Sequence, residues 1–352
     1  MNDKIKIVYL WAEVTGYVTS VLDALCEYND VSIDVVHWNT SNLNSTFYQI
    51  DESRSTNYYK RSELTQGEIL KLLQDKNPDI IVVSGWEDKG YIWACRRYKK
   101  LQPKTKIVAG IDDQWHGSLR QRLGQVYYRL FYRNLFDYMW VAGKPQFSYA
   151  QRFGYSIETI ICHLYSADTK VFNIKSDFCT RFVFVGRFVS IKSLDLLVDA
   201  YSLLSAEKQC EWPLVLIGDG DQKELIVNRN NPNIIIIPFL EPAALRSELQ
   251  KGGVGCLTSH KDQWGVVIHE FALMGFPMLL SSGCGAATEY LISGYNGFMF
   301  KKGDINSLYQ ALNNFTELSI TEHQQYSERS AKLGQRINTD EAAASLLSIM
   351  YN

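Results

Sequence analysis

The chain has 352 residues, a length that suits two domains of ordinary size and excludes one small domain. Its composition, 46% hydrophobic and 21% charged, is that of a folded protein, and a net charge of −2 argues against nucleic acid as a partner. No apolar run is long enough for a membrane span or a signal peptide, so we expect a cytoplasmic protein. The seven cysteines are scattered and never form C-x-x-C, which predicts small buried hydrophobic residues.

Short apolar runs alternate with helix-period segments along the first half, the pattern of βαβ units around a parallel sheet. The predicted class is therefore α/β. Strands are expected at residues 5–10, 31–37, 80–84, 106–110, 139–142 and 159–163, with helices at 17–28 and 118–136.

A second series of strands begins at the run RFVFVGR, which starts at Arg181. A helix is expected from about Ser193, and a final helix from Thr339 with Thr339 and Asp340 as its cap. Further strands are expected at residues 214–217, 234–237, 254–257 and 278–281. The periodicity breaks at 172–180, so we predict an N-terminal domain at 1–172 and a C-terminal domain at 173–338, with a helix at 339–352 that could pack back on the first. Two such parallel-sheet domains would face one another across a ligand cleft at the carboxyl ends of their strands.

The most informative stretch is residues 259–300, which is expected to form strand, loop, helix, strand, glycine-rich loop and helix. Asp262 lies in the first loop, Trp264 and Gly265 are expected to open a helix, and Glu270 falls within its first two turns. The amides of Gly265, Val266 and Val267 at a helix start would form an anion site that suits a phosphate.

This stretch resembles the donor site of glycosyltransferase family 4, a family of GT-B fold whose E-x7-E motif is followed by two glycine-containing segments. Asp262 and Glu270 occupy its two carboxylate positions, with Asp replacing the first Glu. The resemblance implies that Asp262 binds the donor sugar's hydroxyls, that the helix-start amides hold phosphates and that Glu270 holds the ribose. Considered alone, Glu270 is more typical of a solvated helix carboxylate, and it is the joint match over some 40 residues that favours the ribose-binding role.

Upstream, residues 184–201 resemble the family's G-R-x-x-x-x-K-G segment, with Ser193 replacing the last glycine. The resemblance implies that Gly186, Arg187 and Lys192 bind the donor diphosphate and that both cations neutralise the leaving group. The alternative is a pair of surface charges. Gly218, in the run LIGDG, is similar to a strand-end glycine beside the nucleotide, although a lone G-x-G is weak evidence.

In the first domain, Gly16 matches a family glycine that approaches donor phosphates and acceptor. Relatives carry a His-Asp pair after the fourth strand, where this chain has Asp112 and Asp113, with His116 nearby. These three residues are candidates for acceptor contact or proton removal, and a helix-capping role for Asp113 is an alternative.

The resemblance implies a retaining glycosyltransferase that moves a sugar from a nucleotide-diphosphate sugar to a glycan or polyprenyl-linked acceptor, in bacterial surface polysaccharide synthesis and without a metal. A nucleotide-sugar epimerase or an inactive sugar-nucleotide-binding subunit are the alternatives. Residues 114–136 carry four arginines, no carboxylate and interleaved aromatic residues. This pattern predicts either contact with an anionic membrane at its inner face or a core helix with snorkelling arginines.

Overall fold

The computed structural model describes residues 4–28, 30–38 and 56–351, which form two compact units. The first unit runs up to Ser166 and resumes at Asn338, and the second runs from Ala167 to Ile337. The segment at 172–180, where the join between domains is predicted, lies within the second unit.

The first unit is built on a sheet of parallel strands, seven within the described residues, in the order β3-β2-β1-β4-β5-β6-β7. Its central strands are continuous apolar runs because a parallel sheet is covered on both faces. The strands are β1 (Ile5–Trp11), β2 (Val31–His37), β3 (Thr56–Lys60), β4 (Ile80–Val83), β5 (Lys106–Ile111), β6 (Tyr138–Val141) and β7 (Ile160–Ile161).

Helices of the first unit follow individual strands, and three of them begin at side-chain caps. Thr65 and Glu68 form a capping box on the second helix, and the Asp88 carboxylate accepts hydrogen bonds from Gly90 N and Tyr91 N at the start of the third. The helices are α1 (Gly16–Glu27), α2 (Gln66–Lys76), α3 (Lys89–Leu101), α4 (Leu119–Phe131) and α5 (Lys144–Arg152).

The second unit repeats the same plan, with strands in the order β10-β9-β8-β11-β12-β13, all parallel. The strands are β8 (Phe182–Val185), β9 (Leu214–Ile217), β10 (Ile234–Ile237), β11 (Val254–Leu257), β12 (Met278–Ser281) and β13 (Gly297–Phe300). The helices are α6 (Thr169–Phe172), α7 (Leu194–Ser202), α8 (Ala206–Glu211), α9 (Lys223–Val227), α10 (Pro242–Leu249), α11 (Val267–Leu273), α12 (Ala287–Tyr290), α13 (Ile305–Glu317) and α14 (Ile320–Gly334).

The last helix, α15 (Thr339–Leu347), belongs to the first unit and packs on α1. The Ser345 hydroxyl donates to the Cys162 carbonyl oxygen at 2.7 Å, which ties α15 to the end of the sheet. The prediction of Thr339 and Asp340 as its cap is wrong. Asn338 is the cap, because its side chain accepts from Glu341 N while the Glu341 carboxylate accepts from Asn338 N.

Two edge strands, β3 and β13, are absent from the prediction, and both are short and partly exposed, so their apolar signal is weak. The cysteine prediction is wrong for Cys210, which is exposed, whereas Cys95, Cys256 and Cys284 are buried. No helix within the described residues is both long and apolar enough to cross a bilayer.

Strand order reverses at the same point in each sheet, between β1 and β4 in the first unit and between β8 and β11 in the second. In open parallel sheets the loops that leave such a reversal point diverge and leave a crevice at the carboxyl ends of the strands. In the second unit these are the loops after β8 and β11, which carry Arg187, Lys192 and Asp262.

Candidate active site

The loops after β8 and β11 are joined to each other by hydrogen bonds. His260 N donates to the Ile191 carbonyl oxygen at 2.9 Å, and the Thr258 hydroxyl donates to the Lys192 carbonyl oxygen at 3.0 Å. The backbone that carries Lys192 is therefore held directly against the loop that carries Asp262.

The side chains of Lys192 and Asp262 form an ion pair between Lys192 Nζ and Asp262 Oδ2. The two side chains are 17% and 12% exposed, and the Ser259 hydroxyl also donates to Asp262 Oδ2 at 3.3 Å. The structure thus joins two predicted site residues that are 70 positions apart in the chain.

The loop after β12 holds Asp262 from its other side. Asp262 N donates to the Gly283 carbonyl oxygen at 3.0 Å, and Gly285 N donates to the Asp262 carbonyl oxygen at 3.1 Å. A Cβ at Gly283 would lie 2.4 Å from the His260 carbonyl oxygen, so the close approach of the two loops requires glycine there.

The turn that leads into α11 differs from its prediction, because the helix begins at Val267 and not at Trp264 or Gly265. Gly265 has a φ of 86°, and Trp264 is only 3% exposed, with its carbonyl oxygen accepting from Ala286 N at 2.8 Å. Val266 is the cap residue, and the amides of Val266 and Val267 lie in the first turn, where intrahelical acceptors are lacking.

Glu270, in α11, carries a perturbed carboxyl group. Desolvation by burial, together with the negative charge of Asp168, raises its pKa to about 7. A carboxyl group with a raised pKa near the carboxyl ends of parallel strands is a candidate for a functional site. Glu270 is partly buried, so it is not a fully solvated helix carboxylate.

His269, beside Glu270, was not singled out in the sequence, and it is a buried structural residue. Its Nδ1 accepts from Ala167 N at 2.9 Å, and its Nε2–H donates to the Gly334 carbonyl oxygen at 2.9 Å. The ring stacks on Tyr290 with 4.5 Å between centroids, and desolvation by burial lowers its pKa to about 4. A histidine within an apolar helix is the signal that could have indicated it.

Arg187 and Gly186 follow β8 directly, and Arg187 is exposed. Gly218 lies at the end of the neighbouring strand β9, where a Cβ would lie 2.0 Å from the Gly186 carbonyl oxygen. This contact explains the glycine sterically, without a nucleotide.

In the first unit, Gly16 is the first residue of α1, which follows β1. Asp112 follows β5, where its carbonyl oxygen accepts from Gln146 Nε2 at 2.7 Å and its Oδ2 accepts from the Tyr165 hydroxyl at 3.4 Å. Gln146 and Tyr165 were not predicted, because each reaches Asp112 from a distant part of the chain.

The capping prediction for Asp113 is wrong, because α4 begins at Leu119 and its cap is Ser118. Asp113 Oδ1 accepts from Gln114 N at 3.0 Å instead. His116 is exposed, and its backbone N donates to Gln121 Oε1 at 2.8 Å. Within residues 4–28, 30–38 and 56–351, no group of three or more His, Cys, Asp or Glu residues is placed to hold a metal ion.

Comparison with protein-family models matches residues 173–333 to the family described as "Glycosyl transferases group 1". The second unit contains a glycosyltransferase group 1 domain. Lys192, Asp262 and Glu270 all lie within this domain.

A curated relative, the poly(glycerol-phosphate) alpha-glucosyltransferase of Bacillus subtilis (strain 168), is 24% identical over 328 residues. The alignment covers 88% of this chain and 45% of the relative, so the chain spans less than half the length of that protein.

Two solved structures resemble the whole chain. The apo form of the lipopolysaccharide outer core galactosyltransferase WaaB is 16% identical, with 99% of each chain covered and a TM-score of 0.73. Anabaena HepE, in complex with UDP and glucose, is 14% identical, with 99% of this chain and 100% of that chain covered and a TM-score of 0.72. With two Rossmann-like parallel sheets, the chain has the α/β GT-B fold.

Proposed function

We propose that this chain is a retaining glycosyltransferase that transfers a sugar from a nucleotide-diphosphate sugar. The observation that carries the proposal is the pairing of Lys192 with Asp262 at the strand-order reversal of a glycosyltransferase group 1 domain. A cation, a carboxylate and free helix-start amides at one such point suit a ligand that has both phosphates and sugar hydroxyls.

In the proposed mechanism, Arg187 and Lys192 stabilise the departing diphosphate while the acceptor hydroxyl attacks from the same side of the sugar. The amides of Gly265 to Val267 add donors, Asp262 binds sugar hydroxyls, and Glu270 binds the ribose. Preorganised charge at the leaving group is often the largest catalytic contribution, which is why we propose transfer without a metal.

We propose a glycan or lipid-linked acceptor, within surface polysaccharide synthesis. The B. subtilis relative supports this proposal by its name, which describes transfer of glucose to poly(glycerol phosphate). Asp112, Asp113 and His116 remain the candidates for acceptor contact, and Tyr165 and Gln146 hold Asp112 in position.

We also propose that the protein works in the cytoplasm against an anionic membrane surface, which it contacts through α4. Only Tyr128 of this helix is buried, so the alternative of a core helix is wrong for α4. Its large apolar side chains line up at helical spacing and are 52% to 73% exposed; they are Leu119, Leu123, Val126, Tyr127, Leu130 and Phe131.

Helix α3 adds positive charge beside this apolar stripe. A groove between the two helices, with a volume of about 880 Å³, is lined by aromatic side chains and by cations, among them Arg96, Arg97 and Lys100. Neither α3 nor α4 contains a carboxylate. Lys99, which also lines the groove, is paired with Asp137 at 2.8 Å. Exposed apolar side chains flanked by cations are typical of surfaces that bind anionic bilayers.

The proposed activity is tested by transfer assays with a panel of nucleotide sugars, chosen after a thermal-shift screen with UDP, GDP, ADP, CMP and dTDP. Transfer is expected to persist in excess EDTA. Arg187→Ala or Lys192→Ala should cut turnover by about 10² to 10³, the range for removing one preorganised charge-stabilising donor. Arg187→Lys should also lose much of the rate, since a bidentate fork becomes a point charge.

The assignment of Arg187 and Lys192 would be contradicted if activity disappeared in EDTA and returned with Mg²⁺ or Mn²⁺ while the alanine variants turned over normally. Asp112 and Asp113 would then be the candidate metal ligands. Free isomerised sugar formed without acceptor would identify an epimerase. Donor binding without turnover would identify a binding subunit.

A further inference from the structure

The Lys192–Asp262 ion pair joins two residues to which the proposed function gives different ligand groups. Lys192 is expected to bind the diphosphate, and Asp262 is expected to bind the sugar hydroxyls, yet here each side chain binds the other. Both are largely buried and both loops are fixed by backbone hydrogen bonds, so the pair is not a chance surface contact.

We infer that the Asp262 carboxylate pairs with the Lys192 ammonium group as an internal counter-ion when no donor is bound, and that the donor's diphosphate displaces this carboxylate. This inference rests on the proposed function, which it deepens. A diphosphate carries more negative charge than one carboxylate, so it outcompetes Asp262 for the ammonium group. Displacement frees the Asp262 carboxylate to bind the sugar hydroxyls. Binding of the diphosphate to Lys192 therefore promotes binding of the sugar to Asp262.

Loss of a residue that contacts a ligand ordinarily weakens binding of that ligand, but this exchange predicts that loss of the Asp262 charge strengthens binding of a diphosphate. Replacing Asp262 by an uncharged residue removes a competitor for Lys192 and a repulsive charge near the phosphates. A diphosphate without sugar should therefore bind more tightly to Asp262→Asn than to the unaltered protein, whereas transfer should fall because the sugar loses its carboxylate.

The inference is tested by calorimetric titration with inorganic pyrophosphate and with the nucleoside diphosphate that stabilises the protein most in the thermal-shift screen. Asp262→Asn should tighten the binding of both by about tenfold, which corresponds to ~1.4 kcal/mol. The gain should be absent for the nucleoside alone and absent when Lys192→Gln is already present, because then there is no cation to release. Asp262→Glu, which keeps the charge, is the matched control and should remain within about threefold of the unaltered protein, well inside the tenfold effect. Asp262→Ser replaces the Asn variant if circular dichroism shows that the latter does not fold.

Unchanged or weaker diphosphate binding in folded Asp262→Asn, or an equal gain in Asp262→Glu, would overturn the inference while the glycosyltransferase proposal stands. Tighter pyrophosphate binding in a protein that binds no nucleotide would support the ion-pair exchange and refute the proposed function. Failure of every form to bind either ligand would refute both.

Discussion

Glu270 is a residue whose position in the fold opposes its own ionisation. Its ordinary pKa of 4.5 is raised to about 7 by desolvation and by the nearby charge of Asp168. The folded state therefore holds the proton more tightly than the unfolded state does. Stability from this group is fully present below about pH 4.5 and is lost as the pH rises through about 7.

Glu270→Gln should consequently stabilise the second unit at pH 8, by up to about 3 kcal/mol, and change little at pH 5. Thermal unfolding at the two pH values measures the difference. Glu224→Gln, at an exposed position of the same unit, is the control and should show no such pH dependence. Equal stabilisation by Glu270→Gln at both values would mean that the carboxyl group is not desolvated.

Ser193 is a non-glycine residue in the left-handed region, with φ 51° and ψ 48°, where the resembled family has glycine. Its side chain makes no capping hydrogen bond to α7, and its carbonyl oxygen accepts from the Thr258 hydroxyl at 3.2 Å, a bond that glycine would keep. The left-handed conformation costs an L-residue about 1–2 kcal/mol, a cost that glycine avoids. Glycine also increases the conformational entropy of the unfolded chain, which offsets part of this gain in stability.

Ser193→Gly is therefore expected to raise the free energy of unfolding by about 0.5–1 kcal/mol, measured from urea denaturation. Ser190→Gly, three positions earlier in right-handed helical backbone, is the control and should destabilise. A loss of stability in both variants would show that the Ser193 side chain contributes contacts that outweigh the strain.

Helix α4 shows why the spacing of apolar residues along a helix does not determine which of its faces packs against the rest of the protein. The large apolar residues that alternate with arginines in α4 and just after it divide into two groups. Tyr128, Tyr132 and Phe136 are buried, whereas Tyr127, Leu130 and Phe131 are exposed. Some arginines also have structural partners, since Arg129 and Arg133 donate to the carbonyl oxygens of residues 152 and 154.

The double variant Leu123→Gln/Leu130→Gln should weaken binding to vesicles that contain anionic lipid by about a hundredfold or more, because burial of each leucine side chain contributes about 1.5–3 kcal/mol. Arg97→Gln/Lys100→Gln should weaken it by about thirtyfold, at about 1 kcal/mol for each cation. Flotation with anionic and with zwitterionic vesicles measures both effects. Leu203→Gln, at an exposed leucine of the second unit, is the control. Equally negligible binding to both kinds of vesicle would remove the membrane proposal.

At the scale of the whole molecule, the first unit is discontinuous in the chain, because α15 returns to it after the second unit is complete. Leu346 and Leu347 of this helix are buried, and the rest of the first unit's sheet and helices ends at Ser166. Its contacts with α1 assign this helix to the first unit.

Leu346→Ala should destabilise the first unit by about 2–5 kcal/mol, as for other fully buried leucines. Two-step thermal unfolding, with nucleotide added to raise the transition of the second unit, separates the two contributions. Ala344→Ser, on the exposed side of α15, should have little effect. A loss that appears only in the nucleotide-sensitive transition would contradict the assignment of α15 to the first unit.

Local sequence alone determined the α/β class, most of the buried strands and the position of the candidate donor residues, because periodicity and strand-end glycines act over a few neighbouring residues. The edge strands β3 and β13, the start of α11 and the caps of α4 and α15 depended on hydrogen bonds and packing that short patterns do not contain. Only the tertiary structure paired Lys192 with Asp262, raised the pKa of Glu270 and left one face of α4 uncovered. Each of these properties depends on which segments, distant in sequence, pack against one another. Such packing determines burial and charge pairing, and the neighbouring residues in the chain do not.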